Sequence, residues 1–301
     1  MIAAGTSQDL IAGFCRFSYL GRSDFSALRQ REMSEDDWQD RARLLYAPAR
    51  LAARFAAFEQ VCLPSILAQD DPRFVFVVIA SPDLPEPWMT RLREVCAQSL
   101  NLHLEIVADR DLGRGLAPLL TEMTAMAGRN LIQFRLDDDD ALSSDAVPRL
   151  RRLADRMAGL AEFGISMARG LSVAIYPGRP VTPMLHDLPF LGAALAVRFA
   201  RPQRSIFSIG HFAIPRQMTH IVDRGPPAAL LLKWPSDSRP LDLDKLPPYL
   251  SLLDEAAFRA ELTRGFPWLL DVDFATLQQT AAEARGALIA TAADAIHGRP
   301  V

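Results

Sequence analysis

Along the first half of the chain, short apolar runs alternate with stretches whose apolar residues recur every three or four positions. Residues 10–17 read as a strand. Residues 51–68 carry Leu51, Phe55, Phe58, Cys62 and Ile66 at helical spacing. Pro72 disfavours helix at the residue before it and ends that pattern. Residues 74–80 are Val-, Ile- and Phe-rich, the composition of a strand buried on both faces. A helix is predicted over 88–98, a strand over 102–107, a helix over 116–127, a strand over 131–136 and a helix over 146–157, with Ser144 as its N-cap. Alternation of this kind predicts a mostly parallel sheet with helices on both faces. Ligands of such sheets bind beyond the carboxyl ends of the strands. The loops after Phe17, Ala80, Val107 and Leu136 are therefore the ones to watch.

The second half is less regular. Strands are predicted over 173–176, 193–199 and 204–209, irregular chain over the proline-dense 226–248, and helices over 250–263 and 274–296. The charged stretch 32–43 reads as a solvated helix. No internal repeat or clean domain boundary is visible, and one domain over residues 1–301 is expected.

Composition narrows the function. Half of the 301 residues are apolar, enough for a sizeable core. A net charge of -3 lacks the basic excess of nucleic-acid binders, so no nucleic-acid partner is expected. Cys15, Cys62 and Cys96 match no zinc spacing and read as reduced core thiols. No signal peptide is evident, and the longest apolar run is far short of the roughly 20 residues that span a bilayer. A cytoplasmic protein, soluble or in peripheral contact with a membrane, is expected.

The strongest chemical signal is Arg135-Leu136-Asp137-Asp138-Asp139-Asp140 after a predicted strand. In extended backbone, Asp137 and Asp139 share one face, and Asp138 and Asp140 the other. Carboxylates on one face suit Mn²⁺ or Mg²⁺, which can bridge to nucleotide phosphates and take up the charge of a departing diphosphate. Blander readings are a solvated acidic turn and a Ca²⁺ loop, the latter disfavoured because the glycine-centred EF-hand spacing is absent. A second enzyme class, a phosphatase or phosphotransferase built on Asp-x-Asp, is disfavoured by the mid-chain position and by Ala141, where a Thr or Val is expected.

The pattern Arg-Leu-Asp-x-Asp-Asp after an apolar strand resembles a bacterial rhamnosyltransferase family, itself similar to inverting glycosyltransferases of the GT-A type. The resemblance starts at Phe14-Cys15-Arg16-Phe17-Ser18-Tyr19. It continues through Phe58-Glu59, the stretch from Leu63 to Asp70, and Ala80-Ser81-Pro82-Asp83-Leu84-Pro85, and reaches the aspartate run. In the second half Ser208-Ile209-Gly210-His211 is its main anchor. It implies a GT-A-like, Rossmann-related α/β fold, with residues 10–160 binding the nucleotide sugar and residues 161–301 forming the acceptor side and C-terminal helices.

The resemblance also implies roles for particular residues. Arg16, Phe17 and Ser18 belong to the nucleotide pocket, with the Phe17 ring stacking on a base and Arg16 pairing with diphosphate. Asp83 binds the nucleobase or ribose. Arg114 or Arg129 faces the diphosphate. Asp137 and Asp138 belong to the donor site, and Asp137, Asp139 and His211 to the metal site. Transfer with inversion needs a base for the acceptor hydroxyl; Asp187 is the first candidate and Asp223 the second. The donor would be a dTDP-, UDP- or GDP-sugar, and the acceptor a polysaccharide, a lipid-linked sugar or a protein. A non-catalytic relative that binds a sugar nucleotide or an assembly partner is the alternative.

Overall fold

The computed structural model describes residues 9–22, 33–127, 130–235 and 240–297. Among these residues, twelve strands form two sheets. The first sheet holds β1 (Leu10–Arg16), β2 (Phe74–Ala80), β3 (Leu102–Ile106), β4 (Leu131–Arg135), β6 (Phe163–Met167), β9 (Leu195–Arg198) and β10 (His220–Asp223), in the order β10-β6-β9-β4-β1-β2-β3. Every neighbouring pair is parallel except the two made by β9. Six of the seven strands thus end at the same edge. This is the mostly parallel α/β sheet expected from the alternation.

The second sheet was not expected. It holds β5 (Ala141–Leu142), β7 (Arg169–Ala174), β8 (Thr182–Asp187), β11 (Ala229–Lys233) and β12 (Leu250–Leu252), in the order β12-β8-β7-β11-β5. Only Ala168 separates β6 from β7, so that segment passes from one sheet into the other. The aspartate run does the same between β4 and β5 and therefore sits at the junction of the sheets.

Among the described residues, ten α-helices flank the sheets: α1 (Glu35–Leu45), α2 (Pro48–Ala57), α3 (Leu63–Leu67), α4 (Trp88–Cys96), α5 (Leu112–Gly115), α6 (Ala117–Ala127), α7 (Ala146–Asp155), α8 (Ile214–Gln217), α9 (Glu255–Gly265) and α10 (Phe274–His297). A π-helical turn, Phe58–Cys62, joins α2 to α3, so the helix predicted over 51–68 runs on through a local change of pitch. The face it buries carries Leu51, Phe55, Phe58, Cys62 and Ile66, packed with Phe76 and Val78 of the first sheet. A second cluster joins Ala53, Ala57 and Val61 to Leu171, Val173 and Leu230 of the second sheet and to Leu277 and Ala281 of α10. All three cysteines are free and buried, as expected of core thiols.

Several local expectations are corrected. Residues 206–208 form a 3-10 turn rather than a strand, because the Ser205 hydroxyl accepts from Phe207 N–H and closes the chain on itself. The helix predicted from Leu250 begins only at Glu255, where the Asp254 carboxylate caps Ala257 N–H at 2.7 Å; before it the chain pairs with β8 as β12. The proline-dense stretch contains the buried strand β11. Asp145, not Ser144, is the N-cap residue of α7. The charged stretch near the N-terminus is helical as α1, with a Ser34–Asp37 capping box, but Trp38 and Leu45 are buried against Leu20.

Candidate donor site

The parallel register assembles the site. β1 pairs Phe14 with Arg135 of β4, and Arg16 with Ile79 of β2. Continuing that register two residues past Arg135 brings Asp137 beside Arg16, with Nη2 to Oδ1 at 3.9 Å. Asp83 follows the end of β2, accepts from Ser81 Oγ at 3.2 Å, and pairs with Arg110 at 2.8 Å. Arg110, beyond β3, lies over the Trp38 ring of α1 at 5.0 Å. The ends of neighbouring strands thus carry Arg16, Asp83 and Asp137 on one edge.

The aspartate run is not extended. Asp140 N–H donates to Asp137 O at 3.1 Å, closing a turn with Asp138 and Asp139 at its centre. The expected division of the four side chains between two faces therefore does not occur. Asp138 and Asp139 both reach Arg54 of α2, with Nε to Asp138 Oδ2 at 3.1 Å and Nη1 to Asp139 Oδ2 at 2.8 Å. Asp138 is 1% exposed, so its charge depends on that guanidinium. Burial works against the Arg54 charge, but Asp139 and then Asp137 outweigh it and hold its pKa above the ordinary value.

Asp137 differs from its neighbours: 42% of its side chain is exposed. It accepts from Arg135 Nη2 at 3.3 Å. Desolvation of the carboxylate by its surroundings is outweighed by Arg135, Arg16 and Arg54, which bring its pKa down to about 2. Phe207 of the 3-10 turn lies under both flanking arginines, 5.3 Å from Arg16 and 5.7 Å from Arg135.

His211 lies on a 3-10 turn, half-buried, with Nδ1 2.6 Å from Phe190 O. A carbonyl can only accept, so Nδ1 carries the proton. Burial is the main force lowering the ring's pKa; Arg135 adds to it, while the Phe190 bond and Asp137 oppose it. A neutral ring protonated at Nδ1 leaves the Nε2 lone pair available, the tautomer a metal-ligating histidine adopts. Ser18 and Phe190 both hold positive φ, 45° and 62°, conformations that cost energy for residues other than glycine. Arg50 secures Ser18, with Nη1 to Oγ at 3.1 Å.

Other predicted residues fall elsewhere. Phe17 is 0% exposed, with its ring against Phe55 and Phe58 at 4.6 and 5.3 Å. No face of it is open to a base, so the stacking role is corrected to a core role. Arg114 is held by Asp109 on the surface and is not among the arginines around Asp137. Arg129 lies outside the described residues. Asp223 is occupied on both oxygens, by Arg149 Nε at 2.5 Å and Gly225 N–H at 3.0 Å. Desolvation opposes its charge, yet Arg149 leads the contacts that hold its pKa below the carboxylate range. Asp187 ends β8, is 40% exposed and pairs with the exposed Arg224. Among the described residues, no three His, Cys, Asp or Glu side chains gather as a metal site.

Sequence reasoning missed Arg54, Arg135 and Arg110. Arg54 had a signal: three residues after Leu51 and four before Phe58, it is a charge on the apolar face of its helix.

A family model described as "Putative rhamnosyl transferase" matches residues 10–241, well over half of the chain. The chain belongs to this rhamnosyl transferase family. Membership makes it a glycosyltransferase. No curated protein matches it. Among solved structures, it is similar to residues 1–349 of TarS from S. aureus at 13% identity and a TM-score of 0.39, covering 93% of this chain and 72% of that one. The same TarS fragment in complex with UDP matches at 12% identity and a TM-score of 0.39, covering 92% and 70%. A protein titled "putative nucleotide-diphospho-sugar transferase" from Desulfovibrio desulfuricans G20 matches at 9% identity and a TM-score of 0.34, covering 93% and 98%. No helix among the described residues is long and apolar enough to cross a membrane.

Proposed function

We propose that this member of the rhamnosyl transferase family moves a sugar, rhamnose by the family's description, from a nucleoside-diphosphate donor to a carbohydrate, lipid-linked or protein acceptor, with inversion, in the cytoplasm. One observation carries the reading. Adjacent parallel strands bring Asp83 and Asp137 to one edge, with the guanidinium groups of Arg16 and Arg135 beside Asp137. Asp83 suits the hydroxyls of a ribose or the N–H of a base. Arg16 and Arg135 suit the oxygens of a diphosphate, because a guanidinium presents several donors and keeps its charge. dTDP-, UDP- and GDP-sugars share that chemistry.

The residues suit a divalent ion in a particular way. His211 offers the Nε2 lone pair, and Asp137 has the open carboxylate, so these two would hold Mn²⁺ or Mg²⁺. When bound, such an ion supplies positive charge to the leaving diphosphate. Asp139, held by Arg54, is the less available of the three expected ligands. For the acceptor base, Asp187 is preferred to Asp223, whose oxygens are both engaged. Asp187 pairs with Arg224 and keeps an exposed carboxylate at the end of β8.

The test is calorimetric titration of dTDP, UDP and GDP, with and without Mn²⁺, against the wild-type chain, Asp83→Ala and Asp137→Ala. The wild type is expected to bind at least one of them. Each substitution is expected to weaken binding by at least tenfold, about 1.4 kcal/mol, and only Asp137→Ala should remove the Mn²⁺ dependence. Failure of all three nucleotides to bind would overturn the donor site.

A further inference from the structure

Phe212 sits on the same 3-10 turn as His211, and the two ring centroids are 4.2 Å apart. Its side chain is 50% exposed, and among the described phenylalanines it is the only exposed one. The turn is tied to the donor edge. His211 Nδ1 donates to Phe190 O at 2.6 Å. Two residues after Phe190 the chain passes Arg135, where a Cβ at Gly192 would stand 3.7 Å from Nε. Arg135 in turn donates to Asp137. Immediately before His211 the turn borders free space, since a Cβ at Gly210 would meet no described heavy atom within 4 Å. Gly210 has φ -68° and ψ 133°, angles that any residue adopts, so the backbone does not require glycine there.

A single exposed apolar side chain is ordinary on a protein surface. Phe212 differs by its position. Asp83 and Arg110 follow β2 and β3 on one side of β1, whereas Phe190 precedes β9, beyond β4 on the other side. A ring tied to the β9 side lies away from the base of a donor whose base is held at Asp83. We infer that Phe212 is the aromatic platform of the acceptor subsite: its ring stacks on the apolar face of a pyranose in the acceptor, and the free space beside Gly210 accommodates that sugar. This inference rests on the donor-site reading above. A pyranose has a face of C–H bonds, and the negative face of an aromatic ring attracts such hydrogens. Stacking also removes from water the apolar surface that Phe212 otherwise exposes.

The probes are the methyl glycosides of L-rhamnose, D-glucose, D-mannose and N-acetyl-D-glucosamine. Each is offered with dTDP-rhamnose, UDP-glucose or GDP-mannose while release of the nucleoside diphosphate is followed. At least one glycoside is expected to accelerate release above the rate with water alone. For that glycoside, Phe212→Ala should raise KM about tenfold and leave the donor KM within about twofold of the wild type. Phe212→Tyr keeps the ring and should stay close to the wild type. Gly210→Leu fills the free space and should also raise the glycoside KM. An unchanged glycoside KM in Phe212→Ala, or wild-type values in Phe212→Leu, would overturn the inference. A rise in donor KM as large as that in glycoside KM would assign the ring to the transferred sugar and overturn it as well. So would binding of the wild type, but not Phe212→Ala, to vesicles of phosphatidylglycerol and phosphatidylethanolamine with the glycoside KM unchanged, because the ring would then be a membrane contact. If dTDP, UDP or GDP binds in calorimetry but no glycoside accelerates release, the acceptor subsite fails while the donor site stands. If no nucleotide binds, the donor site fails and the inference with it.

Discussion

At the scale of single residues, the same side-chain type takes opposite roles according to what surrounds it. Asp137 and Asp138 are neighbours, yet one is open between two arginines and the other is sealed against Arg54. The histidines divide in the same way. His211 is half-buried with Nδ1 on Phe190 O, while His186 is buried in the second sheet, with Nδ1 3.0 Å from Ser172 Oγ. Desolvation, reinforced by the Lys233 charge, depresses the His186 pKa to about 3. In the unfolded chain it would titrate near the usual value of about 6.5. Between those values the unfolded state binds the extra proton. The neutral ring's contribution is therefore complete above about pH 6.5 and is lost as pH falls through that window. Urea unfolding at pH 7, 6 and 5 should show the wild type losing up to about 1.4 kcal/mol per pH unit more than His186→Asn in the acid part of that range. Parallel stability curves for the two proteins would contradict this.

At the scale of elements, strands β1, β2 and β4 must pack closely for their ends to meet. Gly13 lies at the centre of β1, paired on its two sides with Phe76 and Phe134. A Cβ at position 13 would stand 2.2 Å from the Phe134 ring and 2.6 Å from that of Phe76. Neither ring has an easy escape, since both are fully buried. Gly13→Ala is therefore expected to cost about 1–3 kcal/mol by overpacking. It should also weaken nucleotide binding, because β1 and β4 together align Arg16 with Asp137. Thermal melting and calorimetry on the variant measure both effects. An unchanged melting temperature would show that the sheet absorbs the methyl group.

At the scale of the whole molecule, the donor edge depends on elements far from it. α10 buries Phe274, Leu277 and Ala281 in the cluster that also holds Ala53 and Ala57 of α2, and α2 carries Arg54. The C-terminal helix is thus one support of the helix that carries Arg54 to the acidic turn. Deleting residues 274–301 would expose that face. At about 2 kcal/mol for each large side chain, the loss from Phe274 and Leu277 alone is on the order of 4 kcal/mol. The truncated chain is expected to melt well below the full chain and to bind nucleotide poorly even below its melting temperature. Retention of full affinity by a folded truncation would place the support of Arg54 elsewhere.

The sequence by itself determined the alternation of the first half, the parallel sheet and the strand ends where the acidic run and Asp83 emerge. Those features follow from burial periodicity and from proline and turn residues, which act over a few positions and are written locally. Phe17 shows the limit of that reading. It stands at a strand end like Arg16, but only packing against Phe55 and Phe58 decides that its ring turns inward. The second sheet was hidden because β5, β8 and β12 are short or interrupted by polar residues and proline, and they become strands only by pairing, β5 with β11, β8 with β7 and β12 with β8. The tertiary structure alone decided that the four aspartates turn rather than extend, and that Arg54 meets Asp138 and Asp139. It also decided that His211 is oriented by Phe190, 21 residues away in sequence. The Arg54 and Phe190 contacts join segments distant in the chain, and the energy of such contacts belongs to the assembled register rather than to any local pattern.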